Sequence, residues 1–196
     1  MKLPHWTSLA AMAIAISSLV FAAALTFSTE EEEITFGAVP DFELIERSGR
    51  TVTRSEMDGR IWIADFIFTN CGGTCPMMTY QMSKLNRELP DEVMLVSITV
   101  DPARDTPEAL AQYAIKNNVE GDRWLFLIGE RDQIYSLVLN GFHLAVDDTI
   151  GTEIEPITHS SRFALIDRSG EIRNYYDGTS LEAVDRMIGD VANILD

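Results

Sequence analysis

Positively charged residues are in short supply in this chain. Fifteen lysines and arginines stand against 31 aspartates and glutamates, a formal net charge of −16 over 196 residues. Nucleic acids select basic surfaces, because cationic contacts release the counterions condensed on phosphates, so the charge balance argues against a nucleic-acid partner. Cysteine is scarcer still, with only Cys71 and Cys75. A chain of this length with 46% hydrophobic residues buries a core that stands without a disulfide, which leaves the two thiols little to do as a staple. Histidine occurs three times, at His5, His143 and His159, so any metal site has few imidazoles to draw on. From Phe36 onward there is no internal repeat, low-complexity tract or second linker, which leaves one domain. No exposed apolar stripe stands out, and a monomeric head is expected.

One long apolar run is present, near the N-terminus. Leu9–Phe27, LAAMAIAISSLVFAAALTF, is 19 consecutive uncharged and mostly apolar positions. As a helix it would rise roughly 28 Å, close to the hydrocarbon thickness of a bilayer. Lys2 precedes the run and Glu30–Glu33 follow it. That asymmetry puts residues 1–8 on the cytoplasmic side. The expectation is a single-pass transmembrane anchor over 9–27 in the inner (cytoplasmic) membrane. An acidic linker over 28–35 and a domain over 36–196 then lie on the periplasmic, extracytoplasmic side. A cleaved signal peptide is the alternative, because Ala22-Ala23-Ala24 supplies small residues for an A-x-A site. Both routes place the thiols in an oxidising compartment.

Beyond the linker, DFELIERSG and the segment around RTVTRSEM read as short extended pieces joined by a Ser-Gly turn. RIWIADFIF is too continuously apolar for a strand with a wet face and suits a central strand covered on both sides. EVMLVSITV and RWLFLIG supply two further strands. Met78, Met82, Leu85 and Leu89 recur at helical spacing ahead of Pro90. DTPEALAQYAIKNN opens a helix with Asp105 or Thr106 as cap and Pro107 at its first position. ERDQIYSLVLNGF is another helix. SRFALID and EIRNYYD are strands joined by Arg168-Ser169-Gly170, and a helix from Ser180 closes the chain. Strands alternating with helices and ending in a hairpin and a helix predict an α/β domain with a mixed central sheet, in the thioredoxin-like order.

Both cysteines fall between a buried strand and a helix, in DFIFTNCGGTCPMM. Pro76 marks a helix start, which puts Cys75 at the N-cap, where free N–H groups and the helix dipole favour an anion and should lower the thiol pKa. Gly72 and Gly73 let the loop close tightly enough to bring Cys71 alongside. The spacing is C-x-x-x-C rather than the C-x-x-C of thioredoxin-type oxidoreductases. The wider loop gives two thiolates room to hold a soft ion, with Cu(I) favoured and zinc possible. Two sulfurs need a third ligand. His5 lies before the apolar run and is out of reach. His143 is expected to pack at a helix-to-strand boundary. His159, just before a central strand, faces the cysteine loop in a thioredoxin-like sheet. Met78 and Met82 belong to the helical core stripe, whereas Met77 lies off it and could touch a soft metal.

The three blocks DFIFTNCGGTCPMM, ITVDPARDTPEALAQYA and THSSRFALIDRSGEI stand in the order found in the Sco (SenC) family, and the chain from about Gly37 to its C-terminus resembles that family. Its members are membrane-anchored, thioredoxin-fold copper chaperones for the CuA site of cytochrome c oxidase. The resemblance implies that Cys71, Cys75 and His159 are the copper ligands. Asp101 and Asp105 match the acidic positions of the D-P-x-x-D-T-P block, where their local roles are to close the strand and to precede the Thr106-Pro107 helix start. One departure is that many members carry proline after the first cysteine, where this chain has Gly72 and Gly73; a more flexible loop is expected.

On this resemblance the chain is a metallochaperone for Cu(I) or Cu(II) rather than an enzyme. Its recipient is the CuA-bearing subunit of cytochrome c oxidase, with a copper donor or a thiol reductant as further partners. Three-coordination leaves the ion open to stepwise ligand exchange. Binding weakens at low pH, because the ligands must shed protons. The rival is a thiol–disulfide oxidoreductase, in which one of Cys71 and Cys75 attacks a partner's disulfide and the other resolves it. That chemistry does not require His159, which makes the histidine the discriminating residue.

Overall fold

The apolar runs become the middle of a sheet. The computed structural model describes residues 35–119, 121–152 and 156–195. In chain order the strands are β1 (Glu43–Glu46), β2 (Thr51–Thr53), β3 (Trp62–Ile67), β4 (Met94–Thr99), β5 (Trp124–Ile128), β6 (Val146–Asp147), β7 (Thr158–His159), β8 (Arg162–Ile166) and β9 (Ile172–Asp177). The helices are α1 (Cys75–Glu88), α2 (Pro107–Lys116), α3 (Arg131–Ser136, continued by a wider π turn over Leu137–Gly141) and α4 (Leu181–Leu195). Every residue of β3, β4 and β5 is buried. This is what continuous apolar runs require of strands covered on both faces.

Seven strands form one sheet in the order β2-β1-β5-β4-β3-β8-β9. β3, β4 and β5 run parallel, while the β1–β2, β1–β5, β3–β8 and β8–β9 pairs are antiparallel. Parallel neighbours need crossover helices, here α1 and α2. Both crossovers step the same way across the sheet, so right-handed connections place the two helices on one face. Thr79 of α1 and Tyr113 of α2 share a hydrogen bond there at 2.6 Å. The opposite face packs Phe142 edge-on against Trp62 and Phe66, with centroids 6.0 and 5.1 Å away. The result is the thioredoxin-like mixed α/β architecture expected from the element order.

The helical stripe holds: Met78, Met82 and Leu85 are fully buried on α1, and Leu89 terminates it before Pro90. Thr106, not Asp105, caps α2, accepting from Ala109 N–H at 3.2 Å. The β8–β9 turn rests on Gly170 at φ +86°, a left-handed conformation that favours glycine. Two features escaped the sequence reading. Arg54–Met57 form a 3₁₀ turn, and β6 pairs with β7 in a separate two-stranded ladder, Val146 opposite His159. Among the described residues no helix is long and apolar enough to cross a membrane. The run Leu9–Phe27 and the linker up to Ile34 lie outside the described residues.

Candidate metal centre

Two side chains four residues apart and a third 84 residues beyond Cys75 converge near the end of β3. Cys71 lies in the loop after β3, Cys75 opens α1, and His159 ends the short β7 strand. Their ligand atoms all lie within 4.8 Å of one another, the only such His/Cys/Asp/Glu group among the described residues. Cys75 is fully buried and Cys71 half-buried, and both are free thiols. The helix begins one residue earlier than expected: Thr74 is the N-cap, so Cys75 is the first helical residue and Pro76 the second. Proline is tolerated in that first turn, where N–H groups lack intrahelical partners.

His159 Nε2 stands 3.2 Å from Cys75 Sγ. Its Nδ1–H donates to the Ser160 carbonyl at 3.1 Å. That bond leaves Nε2 free to accept from the Cys75 thiol when the ring is neutral, or to donate to a thiolate when it is protonated. The Phe68 ring meets the imidazole edge-on at 5.6 Å.

The two thiols are not equivalent, and the difference reverses the expectation from the helix N-terminus. Cys71 is pulled down to about 4, first by the hydrogen bond its sulfur accepts from the Cys75 thiol and then by bonds from His159 and the backbone N–H groups of Cys75 and Gly73. Cys75 is pushed up, first because its proton is held in that same bond to Cys71, then by burial and by the nearby negative charges of Cys71 and Asp65. Burial and a like charge next door outweigh the dipole at the helix start. The pair therefore holds one readily formed thiolate and one retained proton.

Asp65 was missed. It lies fully buried in mid-β3, where Oδ1 accepts from Ser97 Oγ at 2.5 Å, and Ser97 Oγ accepts from Trp124 Nε1 at 2.9 Å. Its Oδ2 has no hydrogen-bond partner. Burial raises this carboxyl to about 7, opposed by the Ser97 bond and by the charge of His159. The signal was legible: one acid inside an otherwise apolar strand.

The family model described as SCO1/SenC matches residues 30–196. The chain belongs to that family. It is 33% identical over 157 residues to the SCO1 protein homolog of Bacillus subtilis strain 168, spanning 78% of this chain and 80% of the relative. A protein from Stutzerimonas stutzeri named for copper binding is 30% identical over 145 residues, covering 70% of this chain and 68% of its own length. Among solved structures, BsSco superposes with a TM-score of 0.70 at 31% identity, covering 84% of this chain and 96% of that one; its report describes a disulfide switch in a member of the Sco family of cytochrome c oxidase assembly proteins.

Other candidates fall outside the cluster. His143 sits at the expected helix-to-strand boundary but is exposed rather than packed, with φ +51°. Following the π turn, its left-handed backbone turns the side chain away from the core. His5 lies outside the described residues. Met77 is 49% exposed on the outer side of α1. Asp101 and Asp105 are both buried, each at 3% exposure. Asp101 pairs with Arg104 at 2.8 Å, and Asp105 reaches back toward the strand preceding the cysteines.

Proposed function

We propose that the chain is a copper metallochaperone, in which Cys71, Cys75 and His159 hold one copper ion for delivery to the CuA-bearing subunit of cytochrome c oxidase. The observation that carries this reading is the cluster of two sulfurs and one imidazole nitrogen, with that nitrogen's tautomer set by Ser160. Metal–sulfur and metal–nitrogen bonds of about 2.0–2.3 Å around a three-coordinate ion put ligand atoms roughly 3.5–4 Å apart. The separation of 3.2 Å between Cys75 Sγ and His159 Nε2, and the 4.8 Å outer limit of the group, bracket that range. Two thiolates with one imidazole form a soft donor set suited to Cu(I).

The chain's own part is to bind, to orient and to release. Cys71, already inclined to the thiolate and half-exposed, meets the incoming ion; Cys75 gives up its proton as it binds. Delivery proceeds when a recipient's thiolate joins the open coordination side and displaces these ligands one at a time. In this reading the Leu9–Phe27 run holds the domain at the extracytoplasmic face of the membrane, supported by Lys2 before it and Glu30–Glu33 after it.

A second reading is favoured by the unequal thiols. The Cys71 thiolate attacks a partner's disulfide, forming a mixed disulfide and releasing one partner thiolate. Cys75 then attacks Cys71 Sγ, releasing the second partner thiol and leaving a Cys71–Cys75 disulfide for an external thiol to reduce.

The deciding experiment titrates the reduced full chain with Cu(I) and Cu(II) without oxygen, alongside His159→Ala. One tight equivalent, strongly weakened in the variant, supports the chaperone. No specific copper binding, with a readily reduced Cys71–Cys75 disulfide, moves the function to thiol exchange.

A further inference from the structure

The cysteine loop is tied to the domain by a carboxylate from the connection between β4 and α2. Asp105 Oδ1 accepts from the Thr69 hydroxyl at 2.5 Å, and Oδ2 accepts from the Thr69 N–H at 3.2 Å and from the Thr99 hydroxyl. The connection is itself closed on the Asp101 carbonyl, which accepts from Arg104 N–H at 3.1 Å and Asp105 N–H at 2.9 Å. Val100 N–H donates to Ile67 O at 2.8 Å, which joins the ends of β3 and β4 just beneath. Thr106 caps α2 without help from the Asp105 carboxylate. A buried acid that does not serve its own helix has its donors at Thr69, two residues before Cys71, and at the end of β4.

Between Thr69 and Cys71 stands only Asn70, which is exposed, and the exposed Gly72 and Gly73 follow. Cys71 N–H makes a long bond of 3.3 Å to Phe68 O. On its C-terminal side the loop runs into α1; on its N-terminal side both the N–H and the hydroxyl of Thr69 are held by Asp105. Fixing a ligand-bearing segment before binding removes an ordering cost that would otherwise subtract from affinity.

We propose that Asp105 is a positioning residue for Cys71: by gripping both the backbone and the hydroxyl of Thr69, it holds the Cys71 sulfur within reach of Cys75 and His159 before an ion arrives. The inference rests on the copper reading for its function but not for its geometry, because a placed Cys71 also serves disulfide formation.

The test uses the full chain, reduced and metal-free, with Thr69→Val and Thr69→Ser. Thr69→Val keeps the N–H and removes only the hydroxyl bond, which spares the fold; far-UV circular dichroism checks that it does. Two quantities are read: Cu(I) affinity against a competing chelator, and the equilibrium in which oxidised glutathione converts the dithiol to a Cys71–Cys75 disulfide and yields two reduced glutathiones. Thr69→Val is expected to weaken Cu(I) binding about tenfold, or about 1.4 kcal/mol, and to lower the disulfide equilibrium by a similar factor. Thr69→Ser should stay within about twofold of wild type on both, by restoring the bond to Asp105. Thr69→Val behaving as wild type overturns the proposal. So does Thr69→Ser as weak as Thr69→Val, or a change in copper affinity with an unchanged disulfide equilibrium. If the wild type binds no Cu(I), the copper reading falls, and the disulfide equilibrium alone decides the role of Asp105.

Discussion

The two sides of the candidate site are built by different means. The cysteine side is local: Cys71 and Cys75 sit four residues apart, between a fully buried central strand and a helix of 14 residues, with Asp105 gripping the approach. The histidine side is remote and lightly built. His159 arrives 84 residues after Cys75 on a two-residue strand, opposite Val146 and against the Phe68 ring. The lesson is a division of labour. Under the proposed chaperone reading, the side anchored between strand and helix supplies the two soft ligands, and the lighter side supplies the third, which is withdrawn when an ion is handed on.

Breaking the cysteine side should do the most damage. Cys75→Ser replaces a soft thiolate by a hard hydroxyl at the buried position, and Cu(I) affinity should fall by about a thousandfold or more in chelator competition. Retention of tight binding in that variant would move the site elsewhere. His159→Ala should cost less, on the order of a hundredfold, because two thiolates remain. An equal loss in the two variants would erase the distinction between the sides.

Acidity sharpens the comparison within the cysteine side. Cys71 is ionised above about 4, whereas Cys75 keeps its proton well beyond the ordinary thiol range. Each copper ion bound between pH 5 and 8 therefore displaces the Cys75 proton, and affinity should rise about tenfold per pH unit as pH increases. A pH-independent affinity over that range would mean that Cys75 is not a ligand or that it does not keep its proton.

A separate effect, on the stability of the fold rather than on copper affinity, concerns Asp65 beneath the site. Its carboxyl stands at about 7 in the fold against an ordinary 3.8, so the folded chain binds the extra proton between those values. Stability from this group is fully present below about pH 4, falls as pH rises towards 7, and is level above, a loss on the order of a few kcal/mol. Asp65→Asn should flatten that part of the stability curve in denaturant titrations at a series of pH values. An unchanged slope would show that the buried acid is not its source.

Much of this was readable in advance where a rule spans only a few residues. The parallel strands announced themselves as unbroken apolar runs, α1 by Met78, Met82 and Leu85, and the last hairpin by its Ser169-Gly170 turn. The three side chains that the structure brings together, Cys71, Cys75 and His159, were picked out by the spacing of the cysteines and by family resemblance. The acidity of Cys75 was read the wrong way: a thiol at a helix start was expected to be lowered, and this one is pushed up. The helix start was visible at Pro76, but the burial of Cys75 and the negative charges beside it were not.

The sequence alone determined the elements and the chemical kind of the site, because strand burial, helix periodicity and turn chemistry are short-range, and because thiols four residues apart must stay close. Tertiary structure alone decided which thiol carries the proton, that His143 faces solvent while His159 meets the sulfurs, and that Asp105 serves Thr69 rather than its own helix. Each of those outcomes depends on desolvation, on charge at close quarters, or on a hydrogen bond between segments far apart in the chain. Only the packed sheet brings those groups together.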